Sequence, residues 1–204
     1  MKIEDDKLIP ENQSGIETNT ESEKSFPTED EAKAFYQLVK QRLTTVNKWH
    51  QFAGQATADF QLTDASGVAI DRWPQQGDHF KINIHAPGST PGDGYDWVRI
   101  EAIDETVGPS EESVIITVRP ATSPLNSNED IAHFFSDEAT SSFAVKRYGN
   151  KVMAGVYGRN EKPNSSTEKI IDKVRNVAIA TGAITGFSKI QWKSLVNGLL
   201  KDDT

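Results

Sequence analysis

The chain has 204 residues, no cysteine and a formal net charge of −8, with a pI near 5.0. Without cysteine there is no disulfide framework, thiolate zinc site, iron–sulfur cluster or cysteine nucleophile, and an acidic chain with scattered Lys and Arg argues against a nucleic-acid partner. Acids stand at the N-terminus where a signal peptide needs a positive region, and no span approaches the roughly 20 apolar residues of a membrane helix, so a soluble protein of the cytoplasm with no membrane partner is expected.

Residues 1–27 hold seven acids against three lysines, a net charge of −4. Ile3, Leu8, Ile9 and Ile16 are isolated there and follow neither helical nor strand period. Such a segment buries too little to offset about 1–2 kcal/mol of backbone entropy per residue, so a disordered acidic tail is expected. The folded part then begins at residue 28. Thr28-Glu29-Asp30-Glu31 is a capping-box pattern behind Pro27, with acids at the positive end of the helix dipole. Phe35, Leu38, Val39, Leu43 and Val46 recur at helical spacing, which predicts a helix over 28–47.

The period then changes to two. Alternation over 58–63, a turn at 64–67 and a return over 68–73 suggest a hairpin. Phe80, Ile82 and Ile84 alternate with Lys81, Asn83 and His85. A Pro/Gly-rich loop over 86–94 leads to an apolar run at Trp97, Val98, Ile100 and Ile103, and 114–118 is a β-branched run closed by Pro120. A short helix is expected over 130–138, then strands over 142–147 and 152–157 joined by a Gly149-Asn150 turn. Ser165-Ser166-Thr167-Glu168 repeats the capping-box pattern. Ile170, Ile171, Val174 and Val177 form an apolar stripe, Gly182 and Gly186 interrupt, and Trp192, Leu195, Val196, Leu199 and Leu200 resume it.

The expected class is therefore α+β: an N-terminal helix, an antiparallel sheet of about six or seven strands, and a long C-terminal helix or helix pair, in one domain over 28–204. This element order resembles the helix-grip arrangement of the Bet v 1/START-type proteins. The resemblance implies a curved sheet wrapped around the last helix, with a cavity between them. In this reading the usual first strand, before the first helix, is missing.

Nucleotide-binding, zinc-protease, EF-hand and nucleophile-elbow signatures are absent, and no cofactor is expected. His133 and Asp137 lie one helical turn apart if 130–138 is a helix; they are weak metal candidates set against a solvated polar face beside Phe134 and Phe135. His79 and His85 share one strand face, the more polar one. At the junction after the last strand, Arg159 can grip an anion, with Asn160 and Glu161 beside it. Tyr95 and Trp97 end the Pro/Gly-rich loop and can contact a ligand. The leading expectation is a non-enzymatic binding module with a pocket for a small apolar ligand between sheet and C-terminal helix, rimmed by 86–97 and 158–164. One alternative is an interaction or regulatory protein that engages a protein partner through its tail and C-terminal helix. The other is an enzyme using His133, Asp137, Arg159 or Glu161.

Overall fold

The computed structural model describes residues 7–54, 58–84, 89–164 and 189–202. The second capping box at 165–168, the stripe over 170–178 and His85 lie outside the described residues. Helix α1 (Glu29–Thr44) starts where its capping box places it, with Thr28 Oγ1 accepting from the Glu31 N–H at 3.2 Å. Ala32, Tyr36, Val39 and Leu43 form its buried stripe. A 3₁₀ turn (Val46–Lys48) and a short helix α2 (Trp49–Ala53) follow. Trp49 is buried there, its indole N–H donating to the Leu43 carbonyl at 2.9 Å.

Seven antiparallel strands form one sheet. They are β1 (Ile16–Ser25), β2 (Asp59–Thr63), β3 (His79–Asn83), β4 (Asp96–Val107), β5 (Glu111–Pro120), β6 (Thr140–Tyr148) and β7 (Lys151–Glu161). The order across the sheet is β1-β7-β6-β5-β4-β3-β2, so every neighbour in sequence from β2 to β7 is a neighbour in space and β1 closes onto β7. A helix over 189–199, α3, lies against the sheet. Strand, helix, meander and C-terminal helix make the helix-grip arrangement, with β1 as the strand that element order alone lacked.

The segment read as a disordered tail thus contains a strand, and the boundary at residue 28 does not hold. β1 pairs with β7 continuously from Thr18↔Gly158 to Ser25↔Lys151. Its sequence, IETNTESEKS, is polar on both faces, because an edge strand is held by ladder hydrogen bonds rather than by an apolar face, and its charges also discourage pairing with other chains. The segment ahead of it crosses the outer face of the sheet, where Ile9 is buried with Ile115, Ala144, Met153 and Tyr157.

Two further expectations are corrected. Residues 130–138 are not a helix; their backbone groups are taken by distant partners, with the Ala132 N–H on the Ala121 carbonyl at 2.9 Å and the Asn164 side chain on the Ile131 and His133 carbonyls at 2.9 and 3.0 Å. Residues 68–73 return toward β2 through a single bridge, Thr63↔Ala69, rather than as a strand. β4, β5, β6 and β7 run a few residues beyond their expected ends, since ladder pairing continues past the apolar runs that the sequence displays.

The core fills the concave face. Phe60, Leu62, Phe80, Val98, Ile100, Val114, Ile116, Phe143, Val145, Val152, Ala154 and Val156 meet the stripes of α1 and α2, and Leu195, Val196 and Leu199 of α3. The rings of Trp49, Phe60, Phe80 and Phe143 form one cluster with centroids 4.8–6.4 Å apart. Arg42, itself buried, fixes the end of α3 by donating to the Leu199 and Lys201 carbonyls at 2.8 and 2.5 Å. A Cβ on Gly198 would stand 2.0 Å from the Phe52 carbonyl oxygen, so α3 approaches α2 as closely as only glycine permits.

Candidate functional site

The concave face has two unlike ends. Under α3 it is closed by rings, with Trp192 against Phe60 and Phe143 at 6.0 and 5.3 Å between centroids. The expected pocket does not lie at that part of the sheet–helix contact, because close-packed aromatic groups already fill it. Toward the start of β4 and the end of β7 the inward-facing residues become small or polar. One rung of the sheet reads Ile100, Val118, Ser141, Gly158 and Thr18 from β4 across to β1.

Asp96 opens β4 in phase with Val98 and Ile100, so period two turns its side chain toward the core side of the sheet, opposite Ile82 of β3. It is 2 % exposed. The Ser89 and Phe134 backbone N–H groups donate to its carboxylate, while Oδ2 has no hydrogen-bond partner among the described residues. Burial outweighs those two donors and pushes its pKa up to about 7. Three segments meet around it. Residues 131–134 run beside the start of β4, with the Trp97 N–H on the Ala132 carbonyl at 2.7 Å, and the Asn164 N–H reaches the Phe134 carbonyl at 2.8 Å. The loop ending at Tyr95 and the junction after β7, expected to rim one mouth, are joined through 131–134.

Glu161 lies elsewhere on the same face. Asn160 takes a left-handed conformation (φ 54°), which turns the end of β7 and sends the Glu161 carboxylate back over Gly158. A Cβ on Gly158 would stand 2.1 Å from Glu161 Oε1, so the carboxylate occupies the place of the missing side chain. Thr18 Oγ1 donates to it at 3.4 Å. Burial raises its pKa to about 7, against the opposing effects of that hydrogen bond and of Arg159. Gly158 shares the rung of Ile100, four residues from Asp96, and lies three strands away. At about 4.8 Å per strand and 3.4 Å per residue, the two carboxylates are on the order of 15–20 Å apart. That is too far to share a proton or to flank one bond as acid and base.

The other sequence candidates have structural partners. Arg159 is buried on the opposite face and donates to the Thr18 and Gly158 carbonyls and Asn19 Oδ1 at 3.2, 2.8 and 2.7 Å, with Glu17 3.5 Å away. Asn160 clasps the N-terminal segment: its Oδ1 accepts from the Gln13 and Ser14 N–H groups at 2.7 and 3.1 Å, and its own N–H donates to Asn12 at 2.7 Å. Tyr95 is half-buried with Lys81 Nζ 3.7 Å from its ring centre. Trp97 is 1 % exposed, faces away from Asp96 and stands edge-on to His79. His79 is itself buried, rather than on an open polar face, and burial followed by Arg99 lowers its pKa. His133 is buried too; burial brings its pKa down to about 3 and Nδ1 accepts from the Phe135 N–H at 3.0 Å. Asp137 is exposed and off any helix, so the two do not share a helical face. Among the described residues no three His, Asp or Glu side chains converge as metal ligands.

Asp96 was missed as a site in the sequence, although its signal was there: an acid in phase with Val98 and Ile100. The described surface hollows, of about 500 Å³ along Asn19–Glu21 and Lys189–Lys193 and about 200 Å³ beside Asn47 and Trp73, do not include Asp96 or Glu161.

No family model and no curated protein matches the chain. Among solved structures it is similar to a hypothetical protein from Helicobacter pylori, at 9 % identity over 88 % of this chain and 86 % of that one, with a TM-score of 0.46. It is also similar to Ara h 8.0201, at 14 % identity over 91 % and 99 % and a TM-score of 0.37. Norcoclaurine synthase from Thalictrum flavum follows at 10 % identity over 90 % and 96 %, with a TM-score of 0.35. The helix-grip arrangement itself rests on the strand pairing of this chain. Among the described residues no helix is long and apolar enough to cross a membrane.

Proposed function

We propose that the protein is a binding module that takes a small, largely apolar molecule on the concave face of its sheet, at the end where β4 begins and β7 finishes. The observation that supports this reading most is the change of character along that face. Rings close one end, whereas Ser141, Gly158 and Thr18 line the other beside inward-turned Asp96 and Glu161. Apolar walls with a few placed polar groups are the usual make-up of a small-molecule site. The two acids stand too far apart for paired acid–base chemistry on one bond, which favours binding over hydrolysis.

The test is titration with a neutral apolar fluorophore such as Nile red, in the full chain and in Ser141→Trp. Ser141 lies between Val118 and Gly158 on the concave face, so an indole there fills the proposed space. Saturable one-to-one emission enhancement, reduced at least tenfold in affinity by Ser141→Trp with an unchanged melt, is expected. Saturable binding that ignores the substitution, or no binding, refutes the site.

A further inference from the structure

The ligand class follows from Asp96, given the concave-face reading above. Along β4 the positions in phase with it, Val98 and Ile100, are core residues, so a carboxylate at 96 interrupts an otherwise apolar row. Its two backbone donors leave Oδ2 without a partner among the described residues, at 2 % exposure. Structural carboxylates elsewhere in this protein are better served. Asp78 receives Arg72 in a two-pronged pair at 2.7 and 2.9 Å plus the Gln75 N–H, and Glu112 receives Arg147 at 2.7 Å. A buried acceptor left open is costly unless something completes it. Among the described residues no Lys, Arg or His is one of the groups that act on Asp96.

We propose that Asp96 is the recognition point for a protonated amine on an otherwise apolar ligand, so that the module takes small amphipathic amines. A nitrogen with several N–H donors and one positive charge completes the open oxygen, and Ile82 opposite it on β3, with Val98 next in phase, suits an apolar body. Such a charge-assisted bond, formed out of water, favours the amine over a neutral molecule of the same shape by about tenfold or more.

The experiment uses n-octylamine and 1-octanol as matched probes, titrated by calorimetry at about pH 8 into the wild type, Asp96→Asn and Asp137→Asn. The wild type should prefer the amine by at least tenfold. Asp96→Asn should lose that preference while keeping its affinity for the alcohol, and Asp137→Asn, at an exposed carboxylate outside the site, should keep the preference. Equal affinity for both probes, or a preference that survives Asp96→Asn, overturns the amine assignment and leaves the apolar site standing. Failure of both probes to bind overturns the site and this assignment together. The carboxyl ¹³C signal of Asp96 in the wild type needs no variant. Saturating octylamine should lower its titration midpoint by about one pH unit, whereas octanol should not; an unmoved midpoint overturns the assignment.

Discussion

Asp96→Asn also tests whether Asp96 is buried and charged at a cost. The group's pKa stands at about 7 against an ordinary 3.8, raised by burial. A carboxyl raised in the folded state binds its proton more tightly there than in the unfolded chain. Its favourable contribution is therefore complete below about pH 3.8 and is lost as pH rises toward 7, the reverse of a salt-bridged acid. Between about pH 5 and pH 8 the wild type should lose about 2–3 kcal/mol through this group alone. Asparagine keeps the shape and cannot titrate. Its amide meets the Ser89 and Phe134 donors less well, but that penalty is the same at every pH. Glu161 titrates equally in both proteins, and Ile82, Ser89 and Phe134 around position 96 carry no charge. The assay is thermal and urea unfolding at about pH 5, 6, 7 and 8. The stability of Asp96→Asn relative to the wild type should rise steadily by 2–3 kcal/mol across that range, roughly 5–10 °C in relative melting temperature for a chain of this size. Parallel pH profiles would refute the reasoning.

Three further outcomes are expected. Gly158→Ala should destabilise by about 2–3 kcal/mol in urea unfolding, since its Cβ meets Glu161 Oε1 at 2.1 Å and Thr18 Oγ1 at 2.4 Å; adding Glu161→Ala should restore part of the loss, and strictly additive losses would count against the contact. Asn160→Ala should cost about 2 kcal/mol and Asn160→Gly about 1, because glycine keeps the positive φ while both lose the bonds to Gln13 and Ser14. Faster amide exchange at those two residues in both variants is the second readout. Trp192→Ala should cost about 2–4 kcal/mol by opening the ring contacts with Phe60 and Phe143, and a loss below 1 kcal/mol would mean that the ring-closed end of the face is not packed as described.

The sequence by itself determined the elements whose signals are local. Thr28 and Glu31 mark the start of α1, Gly149 takes the positive φ of the turn between β6 and β7, and period-two runs through Phe80, Ile82, Val98 and Ile100 name the inner face. From these came the α+β class, the antiparallel sheet and the helix-grip order. What only the tertiary structure decided are the places where a distant partner sets the conformation. β1 is polar beyond Ile16 and becomes a strand because β7 offers it a ladder; residues 131–134 are not helical because Asn164, Ala121 and Asp96 take their backbone groups. The same holds for the site. Arg159 and Asn160 looked available in one dimension and are engaged by residues some 140 positions earlier, whereas Asp96, an acid among apolar neighbours, is left with an open oxygen. Local spacing encodes which residues point the same way, but which charges find partners depends on the chain ends that the fold brings together.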